Sequence, residues 1–536
     1  MGVAANAGIS RVPPSPRRRL LSIAGCVGLI VIPVWPGVYT IDSQAILRAA
    51  QNGNISNWYC PLHGFFWGLL DRLGIPVWLT FLAGTVCFVT AISSLLRALV
   101  SHRFADVVTP LIIIFPPVYG FAGWHGRDIW FVTEACAVLA LSIRLLESRE
   151  FPRRREVIAL VVLAACAFDA RQNGLPVPVV AACTLTWIYR SRIVALGVLP
   201  RFPTTKLIGA TSAISFAILG SVMVGQKLVI TKHHFPEQSL YIVDLTSASL
   251  ITEHSMVPAV AYPDQDVDKI RRLLNGRDPT WVTSFDPPLF VICPWQVDEC
   301  TQGEQLAAEV DDAYFDAWKS LVTRHPVTYL RSRSEVFGYL VGITQTDQTL
   351  YFSQTDEINP DATEWATRNG LFQTFPTLNR WRVAYLAAAS SQEWLNMPIL
   401  YISAGIISCF ILAERHRAQR VTFYGLAAFQ VAIQVPLFFM TSVHEARYEY
   451  LAVLLGSICL LADLAPRDSD RDLGEQARNV GVLGLRVSSA TVPTPRTLGP
   501  TGPSRRQRGL SPLRNAPPAR LPDQHRNTPQ GRPTGD

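Results

Sequence analysis

Four short stretches of this chain set ionisable side chains directly against long apolar runs. The first holds Asp42, just past the end of an apolar run, with Trp58 and His63 downstream. The second is Trp124-His125-Gly126-Arg127-Asp128, the third Asp169-Ala170-Arg171-Gln172-Asn173, and the fourth His444-Glu445-Ala446-Arg447-Tyr448. Ionisable groups at a hydrocarbon boundary are costly, so they are functional candidates by default. Taken singly, an Arg–Asp pair at a helix end is a cap plus a local ion pair. A carboxylate held just above the boundary under aromatic residues, as Asp42 is, is poorly explained by packing. Carboxylates of this kind exchange protons, and arginines of this kind hold anions.

The elements that must position these corners are apolar helices. The chain has 536 residues, 49% hydrophobic and 17% charged, where a soluble protein carries about 25% charged residues. Apolar runs of span length recur, which makes the fold an all-α polytopic membrane protein of about ten transmembrane helices. The spans read as 20–35, 76–96, 107–122 (interrupted by Pro116-Pro117), 129–146, 157–168, 175–189, 207–224, 398–413, 423–442 and 451–464. The basic groups Arg17–Arg19, Arg97–Arg103, Arg149–Arg155, Arg190–Lys206 and Arg415–Arg420 fall on alternate connections and must share the cytoplasmic side. The N-terminus (1–19) and the tail (466–536) are then cytoplasmic, and all four corners lie on the opposite face. The net charge of +7 comes from arginines at segment ends and in the tail, so it is a topology signal and not a nucleic-acid one. Arg17–Arg19 before an apolar run also has the form of a signal peptide. The run continues past Cys26 to Trp35, so an uncleaved first span is expected.

The transmembrane core 20–226 is followed by a long polar region, 227–395, expected outside between spans seven and eight. It has helix-like stretches at 265–274 and 305–322 and aromatic residues to pack, so it is expected to fold. The piece 336–343 is too short to span and reads as part of a helix at the outer interface. C-terminal spans occupy 396–465. The tail is rich in Pro, Arg, Gly, Ser and Thr and is expected to be disordered. Most cysteines lie within apolar segments as small hydrophobes. Cys293 and Cys300 lie in the polar region and are expected to pair if that region is outside. No phosphate-binding loop, zinc-protease helix or nucleophile elbow is present, and His233-His234 is an isolated pair.

The pattern D-S-Q-A (42–45), N-W-Y-C-P-L-H (57–63), W-H-G-R-D (124–128), R-Q-N-G (171–174) and E-A-R-Y (445–448) resembles the GT-C superfamily of polytopic glycosyltransferases. The segment Trp318 to Gly342 is similar to an external element of its bacterial members. The resemblance implies transfer of a sugar from a polyprenyl-phosphate donor to a cell-envelope glycan, lipid or protein acceptor at the outer face of the cell membrane. It implies Asp42 as general base, and Arg127, Arg171 and Arg447 as holders of the lipid phosphate. Asp128, Asn173, Trp58, His63, Glu445 and Tyr448 join them as substrate-binding candidates. Arg127-Asp128 stands where the family has Lys-Asp, and Trp58-Tyr59-Cys60-Pro61 where it has Trp-His-Pro-Pro. A divalent cation is admitted as cofactor, although Asp42 is followed by Ser43 and not by a second acid, and no residue is assigned as a metal ligand.

The chemistry agrees with the residue types. A sugar hydroxyl attacking an anomeric carbon needs a carboxylate to take its proton, and a departing phosphate needs cations. The rival readings are a transporter or lipid flippase, and an inactive scaffold. A transporter places charge at mid-span and often shows a repeat, whereas these spans read as nearly free of charge at their centres and show no repeat.

Overall fold

The computed structural model describes residues 16–39, 41–57, 60–148, 151–195, 204–231, 237–262, 264–274, 279, 303–343, 375–440 and 449–465. The expected Cys293–Cys300 pair, the His233-His234 pair and the tail 466–536 lie outside these residues. Among the described residues the fold is all-helical, and the one extended pairing is an isolated bridge between Val38 and Trp124.

The N-terminal part runs α1 (Pro16–Val34), α2 (Ile41–Asn52), α3 (Pro61–Arg72), α4 (Val77–Leu99), α5 (His102–Ile114), α6 (Pro116–Ala122), α7 (Arg127–Glu147), α8 (Arg154–Ala170), α9 (Pro176–Ala195) and α10 (Thr204–Val229). Next come α11 (Glu237–Thr252), α12 (Val267–Leu274), α13 (Gly303–Arg324), α14 (Pro326–Leu340), α15 (Pro376–Ser390), α16 (Pro398–Arg415), α17 (Arg420–Met440) and α18 (Tyr450–Asp463). Five of these, α4, α7, α10, α16 and α17, are long and apolar enough to cross a membrane, and six if α5 and α6 count as one bent span. The other stretches read as spans, α1, α8, α9 and the 14-residue α18, are helical but shorter or less apolar.

Local chemistry sets the breaks. Pro116 and Pro117 lack amide donors, so α5 cannot run on into α6, and the pair bends by 73° at Phe115. α7 starts after an extended Gly126 and carries Asp128 in its first turn and Arg144 in its last, both matching the helix dipole. α10 leaves Phe216 72% and Leu228 81% exposed. Such an apolar face is a liability in water and ordinary in a bilayer.

Side-chain ties show which helix ends meet. At one end His125 donates its amide to Val38, Thr80 meets His125, and Tyr450 donates to the Val118 carbonyl. At the other end Arg97 meets Asp106, Arg144 meets Glu156, Arg415 meets Asp463 and Gln419 meets Glu147. The first, second and third charged corners therefore collect at one end of the bundle, and the arginine-rich connections at the other.

The polar region has its own core. Ile242, Leu245, Val310, Tyr314 and Leu321 from α11 and α13 pack with Tyr329 of α14. The helix-like stretches 265–274 and 305–322 are α12 and α13. The piece 336–343 covers the last residues of α14 and the turn after it, with Val336 and Leu340 buried. α15 behaves differently: Leu386 and Ala389 join the main core, and Arg382 donates to the Gly120 carbonyl at 2.9 Å. That guanidinium satisfies a carbonyl in the last turn of α6, where helical donors have run out.

Candidate functional site

Asp42 lies in the first turn of α2 and not in an open loop, a position the helix dipole favours for an acid. Its Oδ2 accepts a hydrogen bond from Arg127 Nη2 at 3.0 Å. The contact depends on Gly126. A Cβ built there would stand 2.6 Å from Ser43 Oγ, so any larger residue at 126 must push that side chain aside.

Asp128, the next residue, pairs with Arg171 at the end of α8. Because 127 and 128 are adjacent, the two pairs join into one alternating line: Asp42, Arg127, Asp128, Arg171. Side-chain exposure falls along it, 19% and 14% for Asp42 and Arg127 against 8% and 6% for Asp128 and Arg171. Asp42–Arg127 is thus the accessible end and Asp128–Arg171 the anchored one. Asn173 follows in the short turn Gln172–Gly174; its amide is buried and has no partner among the described residues.

His63 occupies a second polar node. Its Nδ1 lies 2.7 Å from Asp169 Oδ2 and its Nε2 3.0 Å from Glu134 Oε1. Asp169 also accepts from the backbone of Leu62 and His63 and from Gln226 Nε2 at 2.9 Å. Burial by itself would lower the basicity of His63, but Glu134 and Asp169 outweigh it and push it up to about 10. His63 is therefore an imidazolium that ties α3 to α7 and α8, with no nitrogen left for a substrate in this arrangement. Glu134, two turns into α7, departs from the expectation of charge-free spans. Its own signal was visible as a lone acid inside an apolar run.

Aromatic rings wall the two nodes. Trp67 stacks on His125 at 4.8 Å and meets Trp130 edge-on at 4.6 Å; Trp130 also packs on His63. With one polar contact and full burial, His125 is pushed down to about 3 and is neutral.

Of the other expected site residues, Trp58, Glu445, Arg447 and Tyr448 lie outside the described residues. Glu449, one position beyond that corner, stands at the N-cap of α18, fully buried, and accepts from Gln434 Nε2 at 3.0 Å. Sequence reading passed over it because it follows the more conspicuous Glu445 and Arg447.

Among the described residues no cluster of His, Cys, Asp and Glu is arranged as a metal site. Beside Asp42 stands a guanidinium, where a hard divalent cation requires several oxygens. A divalent cation does not fit this arrangement, and no step is routed through one. Compared with known protein families, characterised proteins and solved structures, the chain matches none.

Proposed function

We propose that the chain is a multi-pass cell-membrane glycosyltransferase of the GT-C type, with about ten spans and both termini cytoplasmic. It moves a sugar from a polyprenyl-phosphate donor to a cell-envelope glycan, lipid or protein acceptor at the outer face. The observation that supports this reading is the line Asp42, Arg127, Asp128, Arg171 at one end of a bundle of apolar helices. Under this reading it offers a carboxylate and two guanidiniums to the phosphate of a membrane-borne lipid.

The roles follow from the gradient of exposure. Arg127 is the more exposed of the two cations, and its planar fork suits phosphate oxygens. Before the donor binds, Arg127 holds Asp42. A phosphate engaging Arg127 draws on the same guanidinium and loosens Asp42, which then takes the proton of the attacking hydroxyl. Asp128 holds Arg171 as a second cation behind the first, and the field of both opposes the growing charge of the leaving phosphate. Orientation rests on the basic connections: a cysteine at Asn54 reacts with an impermeant thiol reagent in whole cells, and one at Arg154 does not.

The deciding assay combines membranes, a polyprenyl-phosphate sugar and extracted acceptor glycans. Transfer by the native chain and its loss in Asp42→Asn support the reading; wild-type transfer by Asp42→Asn defeats the mechanism. A second reading, a proton-coupled transporter, is favoured by one observation: His63 set between Glu134 and Asp169 within the bundle. Under that reading Glu134→Gln abolishes uptake and Asp42→Asn does not.

A further inference from the structure

Away from the charged end, α16, α17 and α18 enclose a site that the proposed chemistry does not use. Cys409 of α16 and Cys459 of α18 bring their Sγ atoms to 3.4 Å, and both are buried. Gln430 of α17, fully buried, points its amide nitrogen at both sulfurs, at 3.7 and 3.8 Å. Its Oε1 has no donor among the described residues.

The backbone holds the sulfurs together. One turn away, Gly405 faces Gly456. A Cβ at Gly456 would overlap the Tyr401 carbonyl, and one at Gly405 would overlap both Gly456 Cα and the Gln430 amide oxygen. Small residues at a crossing let two apolar helices approach closely. Here they bring the next residues along the seam, the two cysteines, into contact. A disulfide needs about 2.05 Å between sulfurs, so closure brings the two Sγ atoms nearer than their 3.4 Å.

We propose that Cys409 and Cys459 are a redox pair whose oxidation links α16 covalently to α18. Cys409 lies in a helix long and apolar enough to cross a membrane and meets Cys459 there, so the oxidant named here is a lipid-soluble quinone. Each thiol gives up its proton, the pair gives up two electrons, one S–S bond replaces two S–H bonds, and the quinone leaves as hydroquinone. Gln430 assists by donating to the attacking sulfur as its charge develops, since thiolate is the nucleophile and an apolar interior opposes it. Packing as small hydrophobes accounts for cysteines in apolar helices. It gives no reason for a buried amide to face both sulfurs.

The test uses the full chain in membranes, with a protease site placed in the 416–419 turn. After treatment with a short-chain quinone, denaturation, thiol alkylation and cleavage, the two fragments are expected to remain joined until reductant is added, and mapping recovers the 409–459 cross-linked peptide. Gln430→Leu is expected to slow cross-linking several-fold, and Cys409→Ser or Cys459→Ser to abolish it. Because the readout on the native chain does not require a variant to fold, the proposal stays exposed. Both cysteines fully alkylated after quinone treatment overturns it, as does a cross-link between copies in place of one within the chain.

Discussion

Two Arg–carboxylate pairs in this molecule are built from the same chemistry and do opposite jobs. Arg333 of α14 meets Asp244 of α11 at 2.8 Å with both side chains wholly buried. Trp318 Nε1 donates to the second Asp244 oxygen at 2.8 Å, and Arg333 Nε donates to the Phe438 carbonyl at 2.7 Å. That pair is closed and serves architecture, joining α11, α13 and α14 to the end of α17. Asp42 and Arg127 meet at 3.0 Å and keep part of each side chain exposed. The difference lies in what surrounds the charges. A buried pair that loses one partner leaves a charge with no solvent. A partly exposed pair can exchange its partner for a ligand.

The sharpest break of this comparison is Asp42→Asn, which keeps shape and removes proton acceptance. Transfer is expected to fall about 10²–10⁴-fold, with the amount of folded protein in membranes unchanged, measured by transfer assay and immunoblot. Arg333→Ala reverses the pattern. Asp244 is left buried without its partner, and about 3–5 kcal/mol of stability is lost. Detergent-solubilised protein should show this as loss of the monodisperse peak, before any question of activity.

His63 lies between these extremes and has a pH signature. Its folded value of about 10 stands above its ordinary 6.5. The pairing therefore contributes fully below about pH 6.5 and is lost as pH rises through about 10. The thermal midpoint is expected to fall over that alkaline window, and His63→Gln to flatten the fall. Gly126→Ala, which forces Ser43 aside, should lower transfer while leaving the alkaline profile intact. The smallest effect belongs to the exposed Arg331–Glu335 pair on α14. Glu335→Gln is expected to change stability by less than about 0.5 kcal/mol, read by thermal unfolding.

Much of this was legible along the chain. Period and composition marked α12 and α13, and the Pro116-Pro117 break marked the bend between α5 and α6. The corners were legible too, because a charge beside an apolar run stands out without any knowledge of its neighbours. Their partners were not. Asp128 and Arg171 belong to different corners, and His63 meets an acid 106 residues away. Within its own corner each looked like a local cap.

What the sequence by itself determined is the alternation of apolar helices with basic and mixed-charge connections, since hydrophobicity and charge act locally and are summed segment by segment. Only the tertiary structure decided which charge serves which role. Burial and partnership are properties of the packed bundle. The same packing that exposes Asp42 seals Asp244, saturates His63 and brings Cys409 against Cys459, and none of these follows from residue type or spacing.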